Sequence, residues 1–256
     1  MIQAYLRYWL AARDEHSLHS PFLYDLYTRT IRVDDREAPV YTPIAQVRQQ
    51  LCSNPTQIHV TDFGTGAGQY HRSVSSIARK SLKADKYGRL LHRLTQRFQT
   101  RTVLDLGTSL GVTTAYLAKG AEAVGGQVVT FEGCPETADL AGQTFAQLGC
   151  TNVRQVVGNL DQTLVPALAQ LPPVDLVFFD ANHRYTPTIQ YFTACLERIH
   201  NDSVFVFDDI HWSAEMEQAW QTIREHPAVT VSVDLFALGL VFFRREQPRQ
   251  HFVLRF

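Results

Sequence analysis

Several features that would assign the chain to a specialised class of protein are missing from its sequence. Cysteine is scarce, and its four positions form no C-x-x-C pair: Cys52, Cys134, Cys150 and Cys195. This spacing argues against a structural zinc site and a disulfide framework, and it is typical of a reducing compartment. No apolar run is long enough to span a membrane, and the first residues are too short and interrupted for a signal peptide. We therefore expect a cytoplasmic protein that has no membrane partner.

An excess of one charge is also lacking. The chain carries 24 Lys and Arg against 25 Asp and Glu, a formal net charge of −1, so no global field favours nucleic acid. Its 256 residues suffice for a large domain with an appendage. We expect a mainly helical cap or lid over residues 1–100 and an α/β domain over residues 101–256. The pattern does not define an oligomeric state, although it is compatible with a homodimer.

Beyond residue 100, strand-like and helical patterns alternate, which predicts a parallel sheet with right-handed crossovers. Strands are predicted near 102–106, 127–132, 152–157, 174–179 and 203–207, and helices near 112–122, 136–147, 184–199 and 213–225. Two further runs, 229–233 and 239–243, are joined by a short link and should pair antiparallel. The predicted fold is a Rossmann-like doubly wound sheet of seven strands, mostly parallel, with an antiparallel C-terminal edge strand. The aromatic tail 251–256 could add a strand or contact another subunit.

A glycine turn follows the first of these strands. The candidate ligand-binding residues in and before the turn are Asp105, Gly107, Thr108, Ser109 and Gly111. Glycine lets the backbone turn sharply and approach a ligand closely. The G-x-x-x-G spacing differs from the G-x-G-x-x-G that binds a dinucleotide pyrophosphate. It suits a nucleoside without a phosphate, of which S-adenosylmethionine is the commonest.

The next strand ends at Glu132, followed by Gly133. An acid at this position can accept hydrogen bonds from both ribose hydroxyls of a nucleoside. The order of these motifs over residues 101–245 resembles that of class I S-adenosylmethionine-dependent methyltransferases. The resemblance implies that the turn Gly158-Asn159-Leu160 contacts the adenine of the cofactor, with Asp161 as an alternative cap of the following helix.

Acidic residues follow the fourth and fifth strands. Asp180 ends the run 174–179, and Asp208 and Asp209 end the run 203–207. Three carboxylates at one sheet edge repel one another unless they are protonated or bind a cation. All-oxygen ligands favour Mg²⁺, Mn²⁺ or Ca²⁺ over zinc. The alternative is that these acids cap the helices that follow.

The placement of these three acids resembles that of the acidic residues after the fourth and fifth strands in the metal-dependent O-methyltransferases of the catechol, caffeoyl-coenzyme A and macrolide-sugar types. That resemblance implies a metal at Asp180, Asp208 and Asp209, with Asp180 also beside the transferred methyl group as a catalytic and cofactor-contacting residue. Where the catechol type has a basic lysine, this chain has His183, which we interpret as the catalytic base. His211 is the competing candidate. The implied reaction is metal-assisted O-methylation of a small hydroxylated molecule.

Two further segments bear on the acceptor. A second glycine motif, 60–68, lacks the acid-ended strand that should follow it, which favours a structural loop or lid element over a second nucleotide site. The segment 72–101 contains nine basic residues and a single acidic residue, Asp85. The sets Arg79, Lys83, Lys86 and Arg89, Arg93, Arg97 recur at spacings that predict shared helix faces. We interpret them as a solvated or ion-paired face, with a site for an anionic acceptor or RNA as the sharper alternative.

The sequence alone leaves other functions open. They are a metal-independent small-molecule methyltransferase, an RNA methyltransferase that uses the basic segment, and a non-catalytic module that binds the cofactor. Nucleic acid is the less favoured partner, because aromatic residues for base stacking are sparse in the basic segment. Trp212, Met216 and Trp220 recur at helical spacing, which favours core positions, although Trp212 could instead form a wall for an aromatic ring.

Overall fold

The alternation of strands and helices predicted beyond residue 100 is present in the computed structural model, which describes residues 2–63 and 68–256. The helices in the described residues are α1 Ile2–Ala11, α2 Pro21–Leu26, α3 Tyr41–Ser53, α4 Val74–Ser81, α5 Asp85–Arg97, α6 Val112–Ala121, α7 Pro135–Gln147, α8 Leu160–Ala169, α9 Tyr185–Leu196 and α10 Ala214–Glu225. The strands are β1 Gln57–Asp62, β2 Gly68–Ser73, β3 Thr102–Leu106, β4 Gln127–Glu132, β5 Val153–Val157, β6 Leu176–Phe179, β7 Val204–Asp208, β8 Val231–Asp234, β9 Leu238–Phe242 and β10 Gln250–Val253.

The main sheet has eight strands in the order β10-β8-β9-β7-β6-β3-β4-β5. Strand β9 runs antiparallel to both β7 and β8. The predicted Rossmann-like fold is therefore confirmed, with one strand more than the seven predicted. The additional strand is β10, which the aromatic tail contributes and which pairs parallel with β8.

The chain divides into two compact units. The first unit comprises Met1–Val33 and Pro172–Phe256, and the second comprises Asp34–Leu171. The predicted division near residue 100 stays a prediction. No helix in the described part of the chain has the length and apolar character needed to cross a membrane.

In the second unit, strand β3 is buried along its whole length, as expected for a strand covered on both faces. Helices α5 and α6 pack closely because small residues lie at their contact. A Cβ at Gly88 would collide with the ring of Tyr116, and one at Gly120 would collide with Thr95. The segment before residue 100 is mostly helical, as predicted, but it also contains the antiparallel hairpin β1–β2, which the sequence did not indicate.

In the first unit, aromatic side chains fill the space beside β6 and β7. Phe179 stacks on Phe207 with ring centroids 4.2 Å apart, and Phe192 contacts Phe207 edge to face at 5.9 Å.

The start of α2 follows the rule for helix N-termini, since Ser20 Oγ accepts a hydrogen bond from the backbone N–H of Leu23 and Pro21 occupies the first turn.

Candidate active site

The glycine turn after β3 adopts the backbone that its sequence predicts. Gly107 has a φ of 124° and Gly111, which precedes α6, has a φ of 81°. A Cβ at Gly111 would lie 2.8 Å from the ring of Phe145, so both the angle and the space require glycine. Ser109, between them, has a φ of 48° although it carries a side chain. Such angles cost free energy and cluster at ligand sites.

Asp105 is buried beneath this turn. Its Oδ2 accepts hydrogen bonds from Thr114 Oγ1 at 2.5 Å and Thr130 Oγ1 at 2.8 Å, while Oδ1 has no hydrogen-bond partner. Thr130 also bonds to Thr108 Oγ1 at 2.5 Å. Burial raises the pKa of Asp105 to about 6, against the opposing effect of the two threonine hydroxyls. In this structure Asp105 therefore joins β3 to α6 and β4, and the predicted contact with a ligand stays a prediction.

Glu132, at the end of β4, connects the strand to the turn. Its Oε2 accepts from the backbone N–H of Ser109 at 2.8 Å, and its Oε1 accepts from that of Cys134 at 2.9 Å. Burial raises the pKa of Glu132, while these N–H groups and that of Gly133 act against the shift. Each carboxylate oxygen has a second lone pair, so the group can accept further hydrogen bonds from a ligand.

The third predicted contact lies after β5. Gly158 has a φ of 136°, and Asn159 precedes α8, whose first residue is Leu160. The Asn159 Oδ1 accepts from the backbone N–H of Asp161 at 3.0 Å. The cap of this helix is thus Asn159, not Asp161, because the capping position comes just before the first helical residue. The predicted contact of Asn159 with adenine would use its amide NH₂ group or its backbone.

The hairpin β1–β2 lies beside these residues. Phe63 packs against Gly133, where a Cβ would lie 2.6 Å from its ring. The backbone N–H of His59 donates to Glu136 on α7 at 2.9 Å. Residues 64–67 of the second glycine motif lie outside the described residues, whereas its residues 60–62 belong to β1 and Gly68 begins β2. The interpretation of this motif as a structural or lid element stays a prediction.

The basic segment differs in part from its prediction. Helix α4 ends at Ser81 and α5 begins at Asp85, so Arg79, Lys83 and Lys86 do not share one helix. The extended backbone at 82–84 separates them.

Arg89 and Arg93 do lie on α5, and both approach Asp35, at 3.5 and 2.6 Å. Tyr41 donates its hydroxyl to the same carboxylate at 2.7 Å. Two residues of the basic segment, Arg89 and Arg93, are therefore already engaged in a half-buried ion pair within the second unit.

The predicted metal-binding and catalytic residues lie in the first unit. Phe179 of β6 pairs with Phe207 of β7 in parallel register, so Asp180 and Asp208 occupy the next positions at the carboxyl edge. Asp208 has no exposed surface, whereas the Asp180 side chain is partly exposed. Asp209 has a φ of 54°, and its backbone N–H donates to Ala237 at 2.8 Å.

His183 and Asp180 contact each other. The His183 Nε2 lies 3.4 Å from the Asp180 Oδ1, and both side chains are reachable by solvent. His183 and the preceding Asn182 have φ angles of 42° and 68°. Trp212, edge to face with the His183 ring at 5.9 Å, is 46% exposed. The prediction of a core position was therefore wrong for Trp212, because the helix α10 begins only at Ala214.

His211, the competing base, is held on both sides. Its Nε2 lies 2.8 Å from Asp234 and its Nδ1 lies 3.3 Å from Glu217. Burial favours the neutral ring, but the hydrogen bonds and charges of the two carboxylates outweigh it and raise the pKa of His211. A ring with both nitrogens engaged by carboxylates is poorly placed to accept a proton from an acceptor.

The three predicted metal ligands do not form a preformed cluster. Among residues 2–63 and 68–256, no group of three or more His, Cys, Asp or Glu side chains is placed to hold a metal ion. Asp208 is the last residue of β7 and is fully buried, whereas Asp209 follows the strand on left-handed backbone and is partly exposed. The metal site is thus not confirmed.

Comparisons with known proteins fit this geometry. A family described as "Methyltransferase domain" matches residues 104–210. A catechol O-methyltransferase of Mycobacterium tuberculosis is 34% identical over 181 residues, which cover 60% of this chain and 78% of that protein. The chain belongs to the class I S-adenosylmethionine-dependent O-methyltransferases.

Solved structures support the same fold for this methyltransferase. An O-methyltransferase from Bacillus cereus in complex with SAH has a TM-score of 0.55 at 18% identity, covering 86% of this chain and 97% of that one. The O-methyltransferase TomG from Streptomyces achromogenes, in complex with SAM, has a TM-score of 0.56 at 22% identity, covering 86% and 95%. The methyl donor of this methyltransferase is S-adenosylmethionine.

Sequence reasoning did not identify two residues that support this site. Thr114 and Thr130 hold the Asp105 carboxylate, and Thr130 also holds Thr108 of the turn. Both threonines are fully buried. A buried threonine in an apolar strand or helix is the available signal, since its hydroxyl requires a partner, but the sequence does not reveal which one.

Proposed function

We propose that this methyltransferase transfers a methyl group to a hydroxyl of a small molecule with neighbouring hydroxyls, and that His183 accepts the proton of that hydroxyl. The observation that carries the proposal is the contact between His183 and Asp180 at the carboxyl end of β6, on left-handed backbone at Asn182 and His183. The Mycobacterium tuberculosis relative is named a catechol O-methyltransferase, so catechols are the first acceptors to test.

The second unit suits the cofactor. The left-handed turn at Gly107 and Ser109 leaves the backbone open to a ligand, and Glu132 retains lone pairs for ribose hydroxyls. We propose that Gly107–Gly111, Glu132, Gly133 and Gly158–Leu160 hold the nucleoside. S-adenosylmethionine supplies a methyl group already activated by its sulfonium, so the protein needs to provide position and proton transfer.

His183 is suited to proton transfer in this arrangement. Histidine is the side chain whose ordinary pKa lies nearest neutrality. Asp180 Oδ1 lies 3.4 Å from the His183 Nε2, and this contact orients the ring. A base placed in this way contributes about 10²- to 10⁴-fold to the rate.

Divalent-metal assistance is a further proposal for the same unit. Mg²⁺ is commonly bound by one or two carboxylates together with water and substrate oxygens, so a preformed cluster of three ligands is not required. Asp180 and Asp208, at adjacent strand ends, would hold such a cation, with Asp209 as a further ligand. A bound cation would lower the pKa of an acceptor hydroxyl.

The proton-transfer proposal is tested by comparing His183→Gln with His211→Gln. With S-adenosylmethionine and catechol as substrates, we expect the first variant to lose 10²-fold or more in kcat. The second should retain kcat within about an order of magnitude, because His211 is held by Asp234 and Glu217. Binding of S-adenosylhomocysteine, measured by calorimetry, should be unchanged in both variants. A His183→Gln enzyme with parental kcat would refute the role of His183.

The metal proposal is tested by titrating Mg²⁺ and Mn²⁺ into protein saturated with S-adenosylhomocysteine. Saturable binding that weakens in Asp180→Asn and Asp208→Asn, but not in the exposed control Asp202→Asn, would support it. Absence of binding to the folded parent, together with turnover that is indifferent to chelators, would assign the enzyme to the metal-independent class. Failure of S-adenosylhomocysteine to bind would contradict the cofactor site instead.

A further inference from the structure

Helix α1 turns its apolar stripe outward. Five large apolar side chains follow the i, i+3, i+4, i+7, i+8 spacing by which an amphipathic helix normally buries one face. All five are exposed, between 49% and 80%: Ile2, Tyr5, Leu6, Trp9 and Leu10. The buried residues of α1 are Ala4 and Tyr8 instead, and the half-exposed Tyr5 also contacts the Phe236 ring edge to face at 5.0 Å. This "α1 stripe", defined by the five exposed residues, holds half of the large apolar side chains found exposed in the described residues.

The opposite side of α1 is firmly attached to the first unit. The Tyr8 hydroxyl donates to the Leu254 carbonyl at 2.6 Å. The Tyr8 ring also packs on Phe236 with centroids 5.3 Å apart. Arg7 forms an ion pair with Glu217 at 3.2 Å. The α1 stripe is therefore presented on a fixed helix, so its burial by a partner would not require the helix to order first.

We propose that the α1 stripe is the contact surface of a homodimer in which α1 packs against α1 of a second copy. A two-fold interface brings the same patch of both subunits together, so the patch must be compatible with itself. Charge satisfies this condition. Arg7 is the one charged residue of α1 and is paired with Glu217 outside the stripe, so self-association places no like charges in contact.

The size of the stripe agrees with such a contact. Given the exposed fractions, the five side chains expose on the order of 600 Å² per copy. Two copies would bury on the order of 1,200 Å², the lower end of the range for stable, specific interfaces. Aromatic residues are enriched in interface centres, and Trp9 and Tyr5 provide them here.

A membrane surface is the competing partner for an exposed apolar helix. Helices that lie in a membrane interface are rich in Lys and Arg on their polar face, which anionic lipids attract. Helix α1 has no lysine and a single arginine, already paired with Glu217. The charge pattern thus favours a second copy over a lipid surface.

Sedimentation velocity on the full chain tests the proposal. We expect the parent to sediment as a dimer at micromolar concentration, and Leu6→Glu/Leu10→Glu to sediment as a monomer with an unchanged thermal unfolding temperature. Val165→Glu is the matched control, because Val165 is equally apolar and exposed but lies on α8, and it should remain dimeric. A monomeric parent, or a dimer that the double variant leaves intact, would overturn the proposal.

A second measurement identifies the surface directly. In a Cys52→Ser background, Leu6→Cys should form a disulfide with its symmetry mate under mild oxidation, whereas Val165→Cys should not. Flotation with phosphatidylglycerol vesicles tests the competing partner, a membrane surface. Vesicle binding by a parent that stays monomeric and does not cross-link at position 6 would assign the stripe to membranes instead.

Discussion

The buried carboxylate of Asp105 allows a quantitative test of the site's interior. Burial raises the pKa of Asp105 from 3.8 to about 6. The folded protein therefore binds this proton more tightly than the unfolded chain does. As the pH rises from about 4 to about 6, the contribution of this group to the free energy of unfolding falls, and the full penalty is present above the folded pKa.

The magnitude follows from the shift. A displacement of about two pKa units corresponds to about 3 kcal/mol between the protonated and ionised forms. Asp105→Asn keeps the size of the side chain and a hydrogen-bond acceptor for Thr114 or Thr130, but it does not ionise. The free energy of unfolding of the variant, relative to the parent, should therefore rise by about 3 kcal/mol between pH 4 and pH 7.

Urea unfolding followed by tryptophan fluorescence at a series of pH values measures this difference. Subtracting the parent from the variant removes the titration of all other groups, which would otherwise obscure the effect. The same substitution at Asp139, exposed on α7, is the matched control and should leave the difference flat. A difference for Asp105→Asn that is constant within about 0.5 kcal/mol, or that falls with pH, would refute the reasoning.

Three further predictions follow from the second unit. Burial lowers the pKa of His92 to about 4, so the free energy of unfolding of His92→Gln, relative to the parent, should rise by about 3 kcal/mol as the pH falls from 7 to 4; a difference that stays constant with pH would contradict this. Gly111→Ala places a Cβ against Phe145 at a positive φ and should cost about 1–3 kcal/mol in urea unfolding; parental stability would argue against the turn geometry. Thr130→Val removes the hydroxyl bonded to Asp105 and should cost about 2 kcal/mol at pH 7, which Thr130→Ser should largely restore.

Much of the α/β framework could be predicted from local patterns. The strand 102–106, the glycine turn and Glu132 at the end of the next strand all lie where the sequence predicted them. Short apolar runs and glycine spacing carry this information because period and backbone angle are local properties. The hairpin β1–β2 escaped prediction, since its residues are largely polar and lack a clear alternation.

The roles of the charged groups depended on residues far away in the chain. Sequence spacing could not show that His211 is already engaged, because its partner Asp234 lies 23 residues away. Nor could it show that Arg89 and Arg93 converge on Asp35, more than fifty residues earlier. Local pattern alone determined the glycine turn after β3 and the strand ends of this methyltransferase. Only the tertiary structure decided which acids are buried, which histidine is already engaged and which face of α1 remains exposed, because these depend on contacts between distant segments.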